Sequence, residues 1–309
     1  MTVLVTGGLG YLGSQLIRDL PDHPEFADEP IRILDNYRKP RYQAMWDLPA
    51  YADYDFAEVD IRDADAVHEA MDGVDTVFHL AAITNAPETF DIPEETWDVN
   101  HEGAMNVFEA ARDAGASNFV NISSCSVYGR TNDEIDETYA CDPESPYGES
   151  KLQSEQEMLD SHDGTMDVTA LRMGTVYGWT VGMRFDTVVD KFAQLAATGE
   201  PLSVYEGAED QRRPYIHVKD SIRALLFAAS ELGDGEAYNV VGQNARLQDV
   251  IDAIENHFPE VEVGYTQVEQ LNQLSYIVND EKIRAQGFEP VYDMDQGVAE
   301  LADKLRAFC

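Results

Sequence analysis

The sequence predicts an α/β protein: a doubly wound parallel sheet with a smaller lobe interleaved through its C-terminal half. Short apolar runs alternate with stretches of helical period through the first half of the chain. The first run ends in a glycine-rich turn, Thr6-Gly7-Gly8-Leu9-Gly10-Tyr11-Leu12-Gly13, that opens an amphipathic helix. At 309 residues, the chain is long for one compact core and short for two independent enzymes. Repeated strand-then-helix order implies parallel strands covered by helices on both faces.

Each element follows from its period. A strand over 3–8 leads into a helix over 11–20, and a second strand over 31–36 is followed by a third over 56–61. A helix over 64–71, a strand over 76–82, a helix over 103–115 and a strand over 119–124 continue the alternation. A helix starting near Ser145 and a single strand over 167–178 come next. Beyond it the order loosens: a helix over 184–199, a strand over 201–206, a charged loop, an apolar helix over 221–232, and helices over 247–258 and 298–308. With no Ser/Gly linker, the two parts should interleave. Residues 1–172 with 213–241 are expected to bind the dinucleotide, and 173–212 with 242–309 to form the substrate lobe.

Charge narrows the function class. The chain carries 59 acidic against 21 basic side chains, a net charge of −38, spread along its length. Such a surface repels nucleic acid and anionic membranes, so neither is an expected partner. It also repels itself unless ions screen it, and at roughly 1 M salt the Debye length falls to about 3 Å. The composition therefore predicts a halophilic, salt-rich cytosol. No run of 18 apolar residues and no basic leader occurs, so a cytoplasmic protein is expected. Cys125, Cys141 and Cys309 form no CxxC pair and the histidines lack metal-ligand spacing, so neither disulfide framework nor metal site is expected.

Gly7, Gly10 and Gly13 form a G-x-x-G-x-x-G turn between strand and helix. Glycines there allow a tight turn, let backbone approach a pyrophosphate and permit close helix-on-sheet packing. The second strand ends in Asp35, about 20 residues on, where a carboxylate accepts hydrogen bonds from ribose hydroxyls and repels a 2′-phosphate. NAD is thus favoured over NADP, although Arg38 and Lys39 close behind keep NADP open.

Tyr147 and Lys151 stand four residues apart at a helix start, on one helical face. An ammonium beside a phenol is expected to lower the tyrosine pKa and make it a general base. Alone, the pair reads as an exposed surface pair. The strand 119–124, ending in small hydroxyls at the sheet's carboxyl edge, changes this reading. Ser124 is the candidate to hold the substrate oxygen, with Ser123 and Ser126 as rivals.

Together, these motifs resemble the extended short-chain dehydrogenase/reductase family, specifically its NAD-dependent nucleotide-sugar epimerase/dehydratase branch with a Rossmann domain. The resemblance extends to Asp60-Ile61, His79-Leu80-Ala81-Ala82, Asn100, Arg172, Val176-Tyr177-Gly178 and Arg213-Pro214-Tyr215. It implies that Gly7, Gly10, Tyr11, Leu12 and Gly13 hold the pyrophosphate, Asp35 and Asn36 the ribose, and Asp60 and Ile61 the adenine. It also implies that Leu80, Ala81 and Ala82 line the cofactor channel, with Asn100 beside the cofactor. Tyr147 would be the base, Lys151 its partner at the nicotinamide ribose, Ser124 the catalytic hydroxyl and Arg213 a ligand of the substrate phosphate. A homodimer through the catalytic-helix region is likewise implied.

Departures from the family pattern narrow the chemistry. Dehydratases of the branch carry an acidic pair after the catalytic hydroxyl, where this chain has Cys125-Ser126. Thr175 replaces an asparagine that holds substrate phosphates, and Leu274-Ser275-Tyr276 stands where many relatives place an arginine. Arg184, Lys191 and Arg212 are then further candidates for a diphosphate. The expected activity is UDP-hexose 4-epimerisation. A 4-ketoreductase or sugar dehydrogenase is the alternative, and a non-catalytic NAD sensor is disfavoured by the intact Ser124, Tyr147 and Lys151.

Overall fold

A computed structural model describes residues 2–131, 133–267 and 275–307. The first half runs β1 (Thr2–Thr6), α1 (Gly13–Asp19), β2 (Ile31–Asp35), β3 (Tyr54–Glu58), α2 (Ala64–Ala70), β4 (Val74–His79), α3 (Ala86–Thr89), α4 (Pro93–Trp97), α5 (Ala104–Ala114) and β5 (Asn118–Ser124). Then come β6 (Glu134–Ile135), α6 (Pro146–Asp160), β7 (Asp167–Met173), β8 (Thr175–Tyr177), α7 (Val188–Thr198), β9 (Leu202–Tyr205) and β10 (Arg212–His217). The chain closes with α8 (Val218–Glu231), β11 (Asp234–Val240), β12 (Gln243–Arg246), α9 (Leu247–His257), β13 (Val263–Thr266), β14 (Ile277–Val278), α10 (Glu281–Ala285) and α11 (Met294–Arg306).

Seven parallel strands form the main sheet in the order β11-β7-β5-β4-β1-β2-β3. From β1 the chain winds outward to β3, then crosses back to β4 and winds the other way. The reversal between β1 and β4 opens a crevice at the carboxyl edge, where ligands bind in open α/β sheets. Val3, Val5, Ile31, Ile33 and Phe78 face one apolar layer, and Leu4, Leu34, Val77 and Phe119 face the other. Burial on both faces explains why these strands read as near-continuous apolar runs.

The single strand expected over 167–178 is two. Gly174 separates them, and a Cβ there would lie 3.1 Å from the backbone of Pro214. β7 stays in the main sheet, while β8 pairs with β10, which pairs in turn with β12. Residues 213–217, grouped above with the dinucleotide part, therefore pair within the smaller sheet; only from α8 onward does the chain return to the main one. Val189, Phe192, Ile251, Ile254, Val298 and Leu301 give this smaller region its own core.

One buried ion pair fastens the two sides of the sheet edge. Arg172 on β7 meets Glu155 on α6 at 2.6 Å and donates to the Tyr128 hydroxyl at 2.8 Å. Among the described residues, no helix is long and apolar enough to cross a membrane.

Candidate active site

One cleft runs along the carboxyl edge, from the glycine turn to the ends of β5 and α6. Gly7 adopts φ +65°, and a Cβ there would lie 2.8 Å from the Ala81 backbone. At Gly13 a Cβ would sit 2.4 Å from the Gly7 carbonyl oxygen and 2.6 Å from Gly8 Cα. Both positions exclude side chains because backbone already fills the space, so Gly7 and Gly13 line the cleft as bare backbone beside Gly10, Tyr11 and Leu12. The opposite wall is Leu80, Ala81 and Ala82, fixed where the N–H groups of Leu80 and Ala81 donate to Thr6 Oγ1 at 3.2 Å.

Asp35 lines the cleft and accepts N–H groups from Tyr37 at 2.9 Å and Leu9 at 3.2 Å. Burial raises its pKa, and these two donors oppose the rise. Each carboxylate oxygen keeps a free lone pair for a ribose hydroxyl. The cations that left NADP open also line the cleft and are matched by carboxylates: Arg38 pairs with Glu95 at 3.2 Å and Lys39 with Glu88 at 3.2 Å. Asn36 and Ile61 also line the cleft. The glycine cradle and the ribose acceptor fit a dinucleotide.

At the other end, Ser145 accepts the Gly148 N–H at 3.1 Å and caps α6, with Pro146 in its first turn. That cap sets Tyr147 and Lys151 one turn apart, both facing the cleft beside Ser124 at the end of β5. Ser124 stands close enough to Tyr147 to favour its ionised form. Ser124 also donates to the Ser126 hydroxyl at 3.0 Å and accepts the Ser126 N–H at 3.1 Å. Ser123 and Ser126 line the cleft too.

The electrostatics correct one expectation. Burial raises the Tyr147 pKa, and the groups pulling it back are Ser124 and the Arg184 cation, not Lys151. Lys151 is itself buried, which lowers its pKa to about 8, with Glu155 opposing the fall. Buried His79 behind it falls to about 3, through desolvation first and the Lys151 charge second.

Several expected residues stand away from the cleft surface. Asp60 lies behind it, where hydrogen bonds from Arg62 hold its pKa far below the carboxylate range and Asn36 donates to it at 3.0 Å. Asn100 is fully buried on a π-helical turn, Asp98–Gly103, accepting the Ile83 N–H at 2.7 Å and donating to the Ile83 carbonyl at 2.9 Å and Ser150 at 3.3 Å. It braces the cofactor wall against α6. Arg213 is half-buried in β10 opposite Ala245 and off the cleft lining. Lys191 and Arg212 are exposed, so of the expected cation cluster Arg184 alone lines the cleft, with Thr175 nearby. Leu274 lies outside the described residues.

Sequence reasoning passed over Arg41 and the placement of Tyr276, both on the cleft lining. It also missed Asp190, fully buried in α7 and hydrogen-bonded to the Gly178 N–H at 3.0 Å and to Tyr11 of the glycine turn at 3.0 Å. None belongs to a motif, and only the fold brings 190 beside 11.

The model of the NAD dependent epimerase/dehydratase family matches residues 3–241. The chain is 29% identical over 313 residues to the low-salt glycan biosynthesis protein Agl12 of Haloferax volcanii, covering 98% of each chain. It is 28% identical over 321 residues to the dTDP-D-glucose 4,6-dehydratase of Mus musculus, covering 98% of this chain and 88% of that one. The UDP-glucose 4-epimerase of Thermus thermophilus, solved in complex with NAD, superposes with a TM-score of 0.85 at 27% identity over 99% of both chains. Sheet order, cleft and motif positions converge with these likenesses: the chain is an enzyme of the NAD dependent epimerase/dehydratase family, and its cofactor is NAD.

Proposed function

We propose that this enzyme epimerises a nucleotide sugar by transient oxidation of a sugar hydroxyl, and that its substrate is a UDP-hexose reacting at C4. The carrying observation is that Ser124 and Tyr147 line one cleft with no carboxylate in the Cys125-Ser126 positions beside them. Cys125 donates its thiol to the Arg172 carbonyl at 3.3 Å, and burial pushes its pKa up, so it cannot protonate a leaving hydroxyl. Ser126 is tied to Ser124. Dehydration lacks an acid there; hydride transfer does not need one.

NAD, held by the glycine turn and Asp35, would supply reversible hydride transfer at the sugar carbon. Ser124 orients the substrate oxygen, and Tyr147, reacting as the phenolate, takes its proton and, as the phenol so formed, later gives it back to the keto sugar turned over in the site. Lys151, with a pKa of about 8, is mostly cationic at neutral pH and stands on the same helical face. Tyr147 carries a raised pKa and is a ready proton donor, which favours a second reading, 4-ketoreduction.

A panel of UDP-, dTDP- and GDP-sugars, incubated in molar KCl and followed by NMR, tests the reading. Interconversion of UDP-glucose and UDP-galactose supports it; turnover confined to keto sugars with added NADH contradicts it.

The same proposal extends to the solvent and the assembly. With 59 acidic side chains, the protein belongs in a salt-rich cytosol, and its melting temperature should climb steeply from dilute buffer to molar KCl. A flat curve would sink that part. A homodimer through the α6 region is proposed, with light scattering at monomer mass as the contrary result.

A further inference from the structure

The described cleft gathers cations in a strongly acidic protein: Arg38, Lys39, Arg41, Arg62, Lys151 and Arg184 line it. Most of these charges are matched locally. Arg38 and Lys39 are paired with Glu95 and Glu88, and Arg62 with Asp60 at 2.7 Å. Arg41 differs: its half-buried side chain makes no hydrogen bond or ion pair among the described residues.

Arg184 reaches the cleft from the other side. Its segment of the smaller lobe lies across the glycine turn. Tyr11 hydroxyl stands 2.6 Å from the Gly178 carbonyl, and the Gly182 N–H donates to Ser14 Oγ at 3.1 Å. A Cβ at Gly182 would come within 2.5 Å of the Gly10 carbonyl oxygen. The Arg184 guanidinium stacks 5.4 Å over the Tyr11 ring and donates to Thr84 at 2.5 Å, with Asp186 at 3.2 Å as its one ion-pair partner among the described residues. Both side chains line the cleft; burial disfavours the Arg41 charge first and the nearby Arg184 charge second, with Asp186 and Asp35 opposing. Two partly desolvated guanidiniums set together in one cleft call for an anion between them, and a diphosphate offers the planar oxygens that guanidinium forks grip in pairs.

We propose that Arg41 and Arg184 together clasp the diphosphate of the bound dinucleotide, Arg184 reaching it from the smaller lobe. The clasp explains why that lobe's strap is packed on the glycine turn: the cofactor is held by both lobes at once. The inference rests on the NAD requirement of the family and is independent of the choice between epimerisation and reduction.

Calorimetric titration of the full chain, first stripped of resident nucleotide, with NAD, ADP-ribose and UDP, in one KCl buffer, tests it. Arg41→Met and Arg184→Met should each weaken NAD and ADP-ribose about 10- to 100-fold, the range of a lost charge-assisted contact, while UDP changes little. Arg184→Lys, which keeps the charge, should recover part of the loss. A loss confined to UDP would assign the pair to the sugar nucleotide's diphosphate and overturn the proposal. Unchanged NAD and ADP-ribose affinity would overturn it as well, as would a lysine variant as weak as the methionine one. Epimerase activity is not the readout, so failure here leaves the proposed reaction standing.

Discussion

The two ends of the cleft are built by different means. At the glycine turn the surface is backbone, held so tightly that Gly7 and Gly13 have no room for a Cβ. At the far end it is side chains from separate elements: Ser124 from β5, Tyr147 and Lys151 from α6, Thr175 from β8 and Tyr276 from the approach to β14. A backbone surface tolerates one ligand shape, whereas a side-chain surface is retuned one residue at a time. Cofactor identity should therefore be robust, and substrate identity plastic.

That contrast can be broken at its sharpest point first. Tyr147→Phe should cut turnover by roughly 10²- to 10⁴-fold, the range of a positioned acid–base group, while bound NAD is retained. Steady-state kinetics with absorbance of the released nucleotide would show both. A variant that loses NAD along with activity would mean the two ends are not separable.

Beneath the side-chain end lies the Arg172–Glu155 pair. Glu155→Ala leaves a buried guanidinium without its counter-charge and should cost about 3–5 kcal/mol in urea unfolding. A loss under about 1 kcal/mol would show that Tyr128 and the Glu137 carbonyl suffice to hold Arg172.

The joint between the two ends is Asp190. The Tyr11 hydroxyl lies 2.6 Å from the Gly178 carbonyl and 3.0 Å from Asp190, yet has one hydrogen to give. If it goes to the carbonyl, Asp190 must bring its own proton, in keeping with burial pushing its pKa up to about 7. Since an unfolded aspartate titrates near 4, the folded chain binds the extra proton between about 4 and about 7. Stability from this group is then greatest at the acid end and is lost as pH rises through that window. Melting curves of the parent minus those of Asp190→Asn should fall across it; a level difference would place the charge on Asp190 throughout.

The same contrast decides what was legible in the sequence. The glycine turn, Asp35 and the Tyr147/Lys151 spacing are local patterns fixed by backbone geometry, and the structure sets them along one cleft. The hinge at Gly174 was not legible, because a β-rich run does not reveal which sheet each half joins. The cations show the limit most plainly. Arg184, Lys191, Arg212 and Arg213 are close in sequence, but helix and strand directions scatter all except Arg184. Arg41 comes to the cleft from a loop without a motif. Tyr147 shows a further limit, since helical spacing placed Lys151 beside it but could not supply the burial that raises its pKa.

The most direct measurement uses UDP-glucose deuterated at C4, given to the protein as purified in molar KCl with no added cofactor. The account predicts UDP-galactose with deuterium kept at C4, because the hydride leaves and returns through resident NAD without meeting solvent. Deuterium washed out to water, or no product until NADH and a keto sugar are supplied, would contradict it.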